Sequence, residues 1–310
     1  MANRTYLAKQ RKMQARALSG LVDDLVALAT PTAELHGIDL RTRLAEAAAR
    51  RAEEQRQLAE RLQESVVPLF MDDERGRPDR IGSCVLVRLD SDYYAFTAAH
   101  VLRDVGSSRL FAPATGRGGA LLPLPPSTAW LSPSGGGNDL DVGVLALPAS
   151  GLGAFERRVF LAGPEIDHDD QPDDAGFASF YFVLGYSASR TQVKISHKSC
   201  HIDQKSFHCT TSPVDAVEYL TEGVPQSDHL LLDFDHKDIV VAKKRVTPPR
   251  LQGVSGGGVF HISRGTRQGP LVAIATRNIR NSRLIVGTRV KHYLSMAREM
   301  KATAPPALFQ

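Results

Sequence analysis

The chain is poor in cysteine and has no long apolar run. Its 310 residues include only Cys84, Cys200 and Cys209, an odd and sparse set that does not predict the disulfide framework of a secreted domain. No run of about 18 uncharged apolar residues occurs, so a membrane-spanning helix is not predicted. Residues 1–20 are basic and lack the apolar core of a signal peptide. We therefore expect a soluble, cytoplasmic protein.

An excess of charge of either sign is also missing. The formal net charge is +4, from 38 basic and 34 acidic residues, and a balance this even does not indicate nucleic acid or a membrane surface as a partner. The apolar fraction of 42% is enough to fill one large core or two smaller ones. We expect two packed units.

A helical segment comes first. Residues 39–64 are rich in Ala, Leu, Glu and Arg and contain no Gly or Pro, which predicts a helix with Asp39 as its N-cap. Residues 1–65 are thus expected to form a helical N-terminal extension. Two roles stay open for it: a solvated extension that packs on its own domain, or a helix that binds a regulatory protein partner.

The remainder of the chain has the pattern of a β protein. Short apolar runs separated by Gly, Pro, Asp and Ser predict many antiparallel strands, and no strand-helix-strand repeat occurs. The runs are CVLVRL, YYAFTA, VGVLAL, FYFVLG, HLLLDF, GVFHI, LVAIAT and RLIVGT. An all-β sandwich or a pair of barrels is favoured.

Two further features divide this β region. The acidic segment 163–176 predicts an exposed connection, and we place a domain boundary there, between residues 66–165 and 166–310. Apolar residues with helical spacing in 290–301 predict a C-terminal helix.

Three segments contain residues suited to catalysis. GVSGGG, residues 253–258, sets Ser255 in a glycine-lined turn, where a nucleophile and backbone N–H donors can both be exposed. YYAFTAAHVL places His100, a natural base at neutral pH, directly after a strand. NDLDVGVLAL puts Asp141 at the start of a strand, and Asp139, two residues earlier, is an alternative on the same side. Each pattern on its own also has an ordinary structural explanation.

Together, TAAH, DVGVLAL and GVSGGG resemble the trypsin/chymotrypsin family of serine peptidases, in the order His, Asp, Ser that separates this family from subtilisins and α/β-hydrolases. The likeness covers residues 66–290. It implies a mainly β fold of two six-stranded antiparallel β-barrels with substrate between them. It also implies that His100 is the general base, Asp141 its orienting carboxylate and Ser255 the nucleophile, with the N–H groups of Gly253 and Ser255 as the oxyanion hole. A protein or peptide is the implied substrate, and no cofactor is needed.

Departures from the family refine this expectation. Val101 stands where secreted members have a disulfide-bonded cysteine, which makes the chain similar to intracellular bacterial trypsin-like peptidases; with its helical segment it resembles components of multi-protein stress or defence systems. Val254 replaces the Asp that pairs with a newly cut N-terminus in zymogens, so activation by propeptide cleavage is not expected. Pro249, six residues before Ser255, offers no carboxylate for a substrate Lys or Arg.

The sequence also offers two alternatives. The segment HKSCHIDQKSFHC gathers possible zinc ligands, but its spacing fits no standard finger, so we predict a polar strand pair and no metal. These residues are His197, Cys200, His201, His208 and Cys209. The leading function is a serine endopeptidase; the alternative is a trypsin-fold sensor or binding module whose triad is conditionally dormant.

Overall fold

The structure is a computed structural model. It describes residues 40–114, 121–133, 140–155, 158–167, 180–196, 199–234, 240–241, 244–245, 253–262, 269–279 and 281–303. The chain divides into two compact units, Met1–Gln57 and Leu58–Gln310. Every strand given below belongs to the second unit.

The predicted N-terminal helix is confirmed as α1, Leu40–Leu62; Asp39, its expected N-cap, lies outside the described residues. Within the first unit, Glu53 accepts hydrogen bonds from Arg56 and Gln57 at 2.6–2.9 Å. Pairs at this spacing stabilise an exposed helix by a few tenths of a kcal/mol. In the second unit, Ala59 and Leu62 are buried in the core.

The first sheet of the second unit is antiparallel and has seven strands in the order β5-β4-β1-β2-β3-β7-β6. The resemblance implied six strands, so this sheet has one more than expected; its two edge strands, β5 and β6, are short. The strands are β1 Val66–Asp72, β2 Pro78–Leu89, β3 Asp92–Ala98, β4 Leu110–Pro113, β5 Leu121–Leu124, β6 Ala129–Leu131 and β7 Val142–Leu147. Helix α2, Ala99–Val105, follows β3, and a single turn, α3, occupies Ala149–Leu152.

The second sheet has six antiparallel strands in the order β10-β15-β14-β13-β8-β9. It closes on itself, because Asp233 N donates to Ser212 O and Val214 N donates to Leu231 O, which joins the end of β9 to β10. The strands are β8 Phe180–Ser196, β9 Ser199–Thr211, β10 His229–Asp233, β13 Gly258–Ile262, β14 Leu271–Ile279 and β15 Leu284–Arg289. Outside it lie a small ribbon, β11 Val240–Val241 with β12 Lys244–Arg245, and helices α4 Ala216–Glu222 and α5 Val290–Thr303.

Strands buried on both faces explain why the apolar runs are continuous rather than alternating. Successive side chains of a strand point to opposite faces. In β2, Cys84 and Leu86 face the interior of the first sheet, whereas Val85 and Val87 face the core between the two sheets. Phe182 and Leu184 of the second sheet share that core with α5. The two sheets are thereby packed into one body.

The fold class is confirmed: the protein is mainly β, with two curled antiparallel sheets, a helix before them and a helix after them. The C-terminal helix, expected over 290–301, ends at Thr303. Within the described parts of the chain, no helix is both long and apolar enough to cross a membrane. The domain boundaries remain predictions, and residues 168–176 of the acidic connection lie outside the described residues.

Candidate active site

His100 is the second residue of α2, and the start of this helix is capped by Asp141. The first N–H groups of a helix have no partner inside it, and Ala98 contributes no side-chain cap. Instead, His100 N donates to Asp141 Oδ1 at 2.8 Å, and Ala99 N donates to Asp141 O at 3.1 Å. The same carboxylate therefore holds the helix start and the histidine backbone.

The His100 imidazole and the Asp141 carboxylate form a direct pair, with Nδ1 and Oδ2 2.5 Å apart. The sheet brings them together, because β3 pairs with β7 so that Ala98 lies opposite Val142. His100 comes two residues after the end of β3, and Asp141 directly precedes β7. The Asp141 side chain is 21% exposed and that of His100 is 40% exposed. The carboxylate is thus largely shielded from solvent while the imidazole stays accessible.

Electrostatics support different protonation states for the two groups. The hydrogen bond to Asp141 raises the pKa of His100, although burial acts in the opposite direction. Burial alone would raise the pKa of Asp141, but the hydrogen bonds and charge of His100 outweigh it, so this pKa lies below its usual value. An ionised carboxylate that favours the imidazolium is what a general base needs as it accepts a proton.

The C-terminal helix α5 contacts the backbone of Asp141 through Tyr293. Tyr293 is fully buried, its hydroxyl donates to Asp141 O at 3.3 Å, and its ring packs on Phe96 with centroids 5.3 Å apart. The Asp141 carbonyl thus accepts from both α2 and α5. The amphipathic pattern predicted α5, but gave no sign of this contact.

Ser255 lies in a tight turn between two glycines in the left-handed region, Gly253 with φ of 89° and Gly256 with φ of 84°. Gly256 N donates to Ala275 O at 2.7 Å, which ties the turn to β14. Val254 is buried in the second-sheet core, so the residue that departs from the family's Asp contributes apolar packing. The serine is held on a bend fixed from both sides.

The N–H groups of Gly253 and Ser255 are the two expected oxyanion donors. Among the hydrogen bonds of the described residues, none uses the N–H of Gly253 or of Ser255 as a donor. The next two N–H groups are taken, since Gly256 N donates to β14 and Gly257 N donates to Val254 O. That these two groups receive a developing negative charge stays a prediction.

Ser83 of β2 connects the turn of residues 253–256, the candidate nucleophile turn, to the first sheet, and sequence reasoning missed it. It is fully buried; its N–H donates to Ser255 O at 2.8 Å and its hydroxyl donates to Gly253 O at 3.0 Å. The hydroxyl also accepts from Tyr186 N, and Thr97 Oγ1 donates to Ser83 O at 2.7 Å. Ser83 thus ties the turn to β2, and the Thr97 hydroxyl links Ser83 to β3, the strand that leads to His100.

Gly82 lies between α2 and the candidate nucleophile turn and is in close contact with both. A Cβ at this position would lie 2.7 Å from Cγ1 of Val101 and 3.1 Å from Ser255 O, so no larger residue fits between them. Val101 directly follows His100. The local sequence sign of this contact is a Gly-Ser pair at the entrance to a buried run.

The Ser255 hydroxyl does not bond to His100 in this structure. Its Oγ donates to Thr276 O at 3.2 Å, and within the described part of the chain no hydrogen bond joins it to the imidazole. Thr276 lies at a β-bulge of β14, where the pairing with β15 shifts between Ala275 and Arg277. Bulges redirect local groups, and here the Thr276 carbonyl faces the Ser255 hydroxyl.

We expect Gly256→Ala to destroy the nucleophile turn. A Cβ would lie 1.8 Å from Ser83 O, a backbone atom, at a φ of +84°, so strain and overlap together should cost about 3 kcal/mol or more. Urea unfolding and activity should both show the loss. Gly76→Ala is the matched control, because its φ is +69° but nothing lies within 4 Å; it should cost only about 1 kcal/mol and leave activity intact. Equal losses in the two variants would contradict the packing argument.

An open pocket of about 510 Å³ adjoins β14 one residue beyond Thr276. Its lining is mostly polar: Glu222, Arg277, Asn278, Ile279 and Asn281. The pocket lies along the strand whose carbonyl accepts from Ser255.

The other residues singled out in the sequence are placed as follows. Asp139, Pro249 and His197 lie outside the described residues. β9 carries the other four possible zinc ligands, paired with β8 as a strand pair. Cys209 is a free thiol, and burial raises its pKa to about 12. Among the described residues there is no cluster of three His, Cys, Asp or Glu that could hold a metal.

No protein-family model matches the sequence, and comparison with curated proteins finds no match. Comparison with solved structures finds 216 matching chains. One of them is a thermostable serine protease AL20 from an extremophilic microorganism, with a TM-score of 0.45, 12% sequence identity, and coverage of 78% of this chain and 99% of that chain. The case for a catalytic site comes from the side-chain geometry of the chain itself.

Proposed function

We propose that the chain is a serine endopeptidase that hydrolyses peptide bonds of protein substrates through an acyl-enzyme on Ser255. The observation that carries the proposal is the joint geometry of the site. A His100–Asp141 pair stands on one sheet, and a fixed turn that presents Ser255 docks on the same sheet at Gly82 and Ser83.

The geometry supports the following steps. Rotation about χ1 frees Ser255 Oγ from Thr276 O, and Oγ attacks the substrate carbonyl carbon as His100 Nε2 accepts its proton. Asp141 stabilises the imidazolium, and the N–H groups of Gly253 and Ser255 stabilise the oxyanion. His100 then protonates the leaving amine, the C–N bond breaks, and water releases the acyl group by the reverse sequence.

Activity without proteolytic maturation is part of this proposal. In zymogens, an inserted ammonium orders the oxyanion turn by pairing with an Asp. Here that position is the buried, apolar Val254, next to which an unpaired ammonium would cost several kcal/mol. Ser83 and the bond from Gly256 N to Ala275 O order the turn in its place.

A fluorophosphonate probe tests the function directly. We expect the full-length chain, its N-terminus verified by intact mass, to acquire one probe adduct that peptide mass analysis assigns to Ser255. Trace trypsin should not be needed, and Ser255→Ala should stay unlabelled. Labelling that arises only after a cut near residues 75–81 would contradict the activation argument, and no labelling under any condition would contradict the function.

A second candidate function is a sensor or binding module with a conditionally dormant triad. The hydrogen bond from Ser255 Oγ to Thr276 O favours it, because a hydroxyl held there is not yet aligned with the base. In that case a regulatory protein, bound through the N-terminal helix, would shift Ser255 towards His100. Probe labelling that requires cell lysate, in place of purified protein alone, distinguishes this candidate from constitutive activity.

A further inference from the structure

Arg103 lies one helical turn after His100 and reaches the same aspartate. Residues three apart on a helix share a face, so α2 presents both side chains towards Asp141. Arg103 Nη1 is 3.9 Å from Asp141 Oδ1, and the Arg103 side chain is 34% exposed. The carboxylate therefore faces a guanidinium as well as the imidazole.

The second terminal nitrogen of the same guanidinium is also held by a hydrogen bond. Arg103 Nη2 donates to Ser132 O at 2.6 Å. Ser132 is itself buried and firmly held: its N–H donates to Val142 O at 2.8 Å, its hydroxyl accepts from Val142 N at 3.0 Å and also donates to Leu140 O. Through Ser132, Arg103 thus links α2 to the segment that follows β6. Ser132 in turn bonds to Leu140 and Val142, the residues on either side of Asp141.

We propose that Arg103 is a positioning residue: it holds Asp141 against His100, and it keeps the imidazole neutral, and so able to accept a proton, at a lower pH than the His100–Asp141 pair alone would allow. The inference rests on the proposed function, because it assigns a base role to His100. The inference goes beyond the proposed function because it assigns to Arg103 a role in setting the pH at which His100 can act as a base.

The charges around His100 agree with this role. Asp141, at the start of β7, raises the pKa of His100 most, burial lowers it, Asp104 on α2 raises it and Arg103 lowers it. From α5, Tyr293 faces the site with a neutral hydroxyl on Asp141 O. A cation beside a carboxylate weakens the negative potential that the imidazole experiences. Arg103 is therefore placed to offset part of the effect of Asp141.

The test compares Arg103→Gln with Arg103→Lys. In Arg103→Gln the charge is lost, and the midpoint of the rise of kcat/KM with pH should move up by about half a pH unit. Arg103→Lys keeps the charge but not the planar fork, so its midpoint should stay in place while its kcat falls by a few fold through looser positioning. Asp104→Asn is the matched control and should move the midpoint in the opposite direction.

The His100 imidazole should also be titrated by NMR in the Ser255→Ala background, with and without each Arg103 change. This measurement needs no turnover, so it decides the role of Arg103 even if the chain hydrolyses nothing and the proposed function fails. A midpoint that stays or falls in Arg103→Gln, or that rises equally in Arg103→Lys, would overturn the inference. Arg103→Met serves as a second neutral variant should Arg103→Gln fail to fold.

Discussion

Ser255→Ala is expected to lower peptide hydrolysis by roughly six orders of magnitude, the loss expected when the nucleophile of such a triad is removed. The change should leave the fold intact, because the hydroxyl makes one 3.2 Å hydrogen bond, to Thr276 O, and its loss should change the free energy of unfolding by less than about 1.5 kcal/mol. Steady-state kinetics on a quenched peptide, together with urea unfolding, measure both quantities.

The control for this variant is Ser295→Ala. Ser295 also makes a side-chain hydrogen bond, from its hydroxyl to Glu299 Oε1 on the exposed side of α5, but it lies away from the turn and should keep full activity. If purified Ser255→Ala retained more than a trace of the wild-type rate, Ser255 would not be the nucleophile.

Asp141→Asn is expected to lower kcat by about four orders of magnitude. The carboxylate now accepts from both His100 N and His100 Nδ1. An amide can accept at only one of these positions, and its NH₂ group at the other would force the proton of His100 onto Nε2, the nitrogen that must act as the base. Because the carboxylate is what raises the pKa of His100, any residual activity should appear at lower pH than in the wild type.

Asp139→Asn completes this comparison, since Asp139 was the alternative orienting residue. It should retain nearly wild-type kcat. The reverse result, a crippled Asp139 variant beside an active Asp141 variant, would show that the aspartate was assigned two residues out of register.

The strands that could be predicted are those buried on both faces. CVLVRL and VGVLAL are continuous apolar runs because each lies between two cores, and such runs stand out in a sequence. β9, SCHIDQKSFHCTT, was predicted only as part of a polar strand pair, because its residues are mostly polar and its conformation depends on pairing with β8 more than on its own pattern.

Within the site, the residues with a local signature were recognisable and those that act through tertiary contacts were not. His100 and Ser255 stand in distinctive short contexts. Ser83 contacts Gly253 across 170 positions of sequence, and only the docking of the two sheets brings them together. Arg103 does have a local signal, because it follows His100 at helical spacing. This signal becomes readable only when a helix is assigned after TAAH.

The hydrogen bond from Tyr293 to the Asp141 carbonyl has a consequence for the timing of synthesis. His100 and Asp141 leave the ribosome long before α5 does, so a nascent chain shorter than 293 residues can pair the two side chains but lacks the phenol that supports the aspartate from behind. The supporting contact forms only after both sheets have been made. A growing chain therefore acquires the complete support of Asp141 only after α5 has been made.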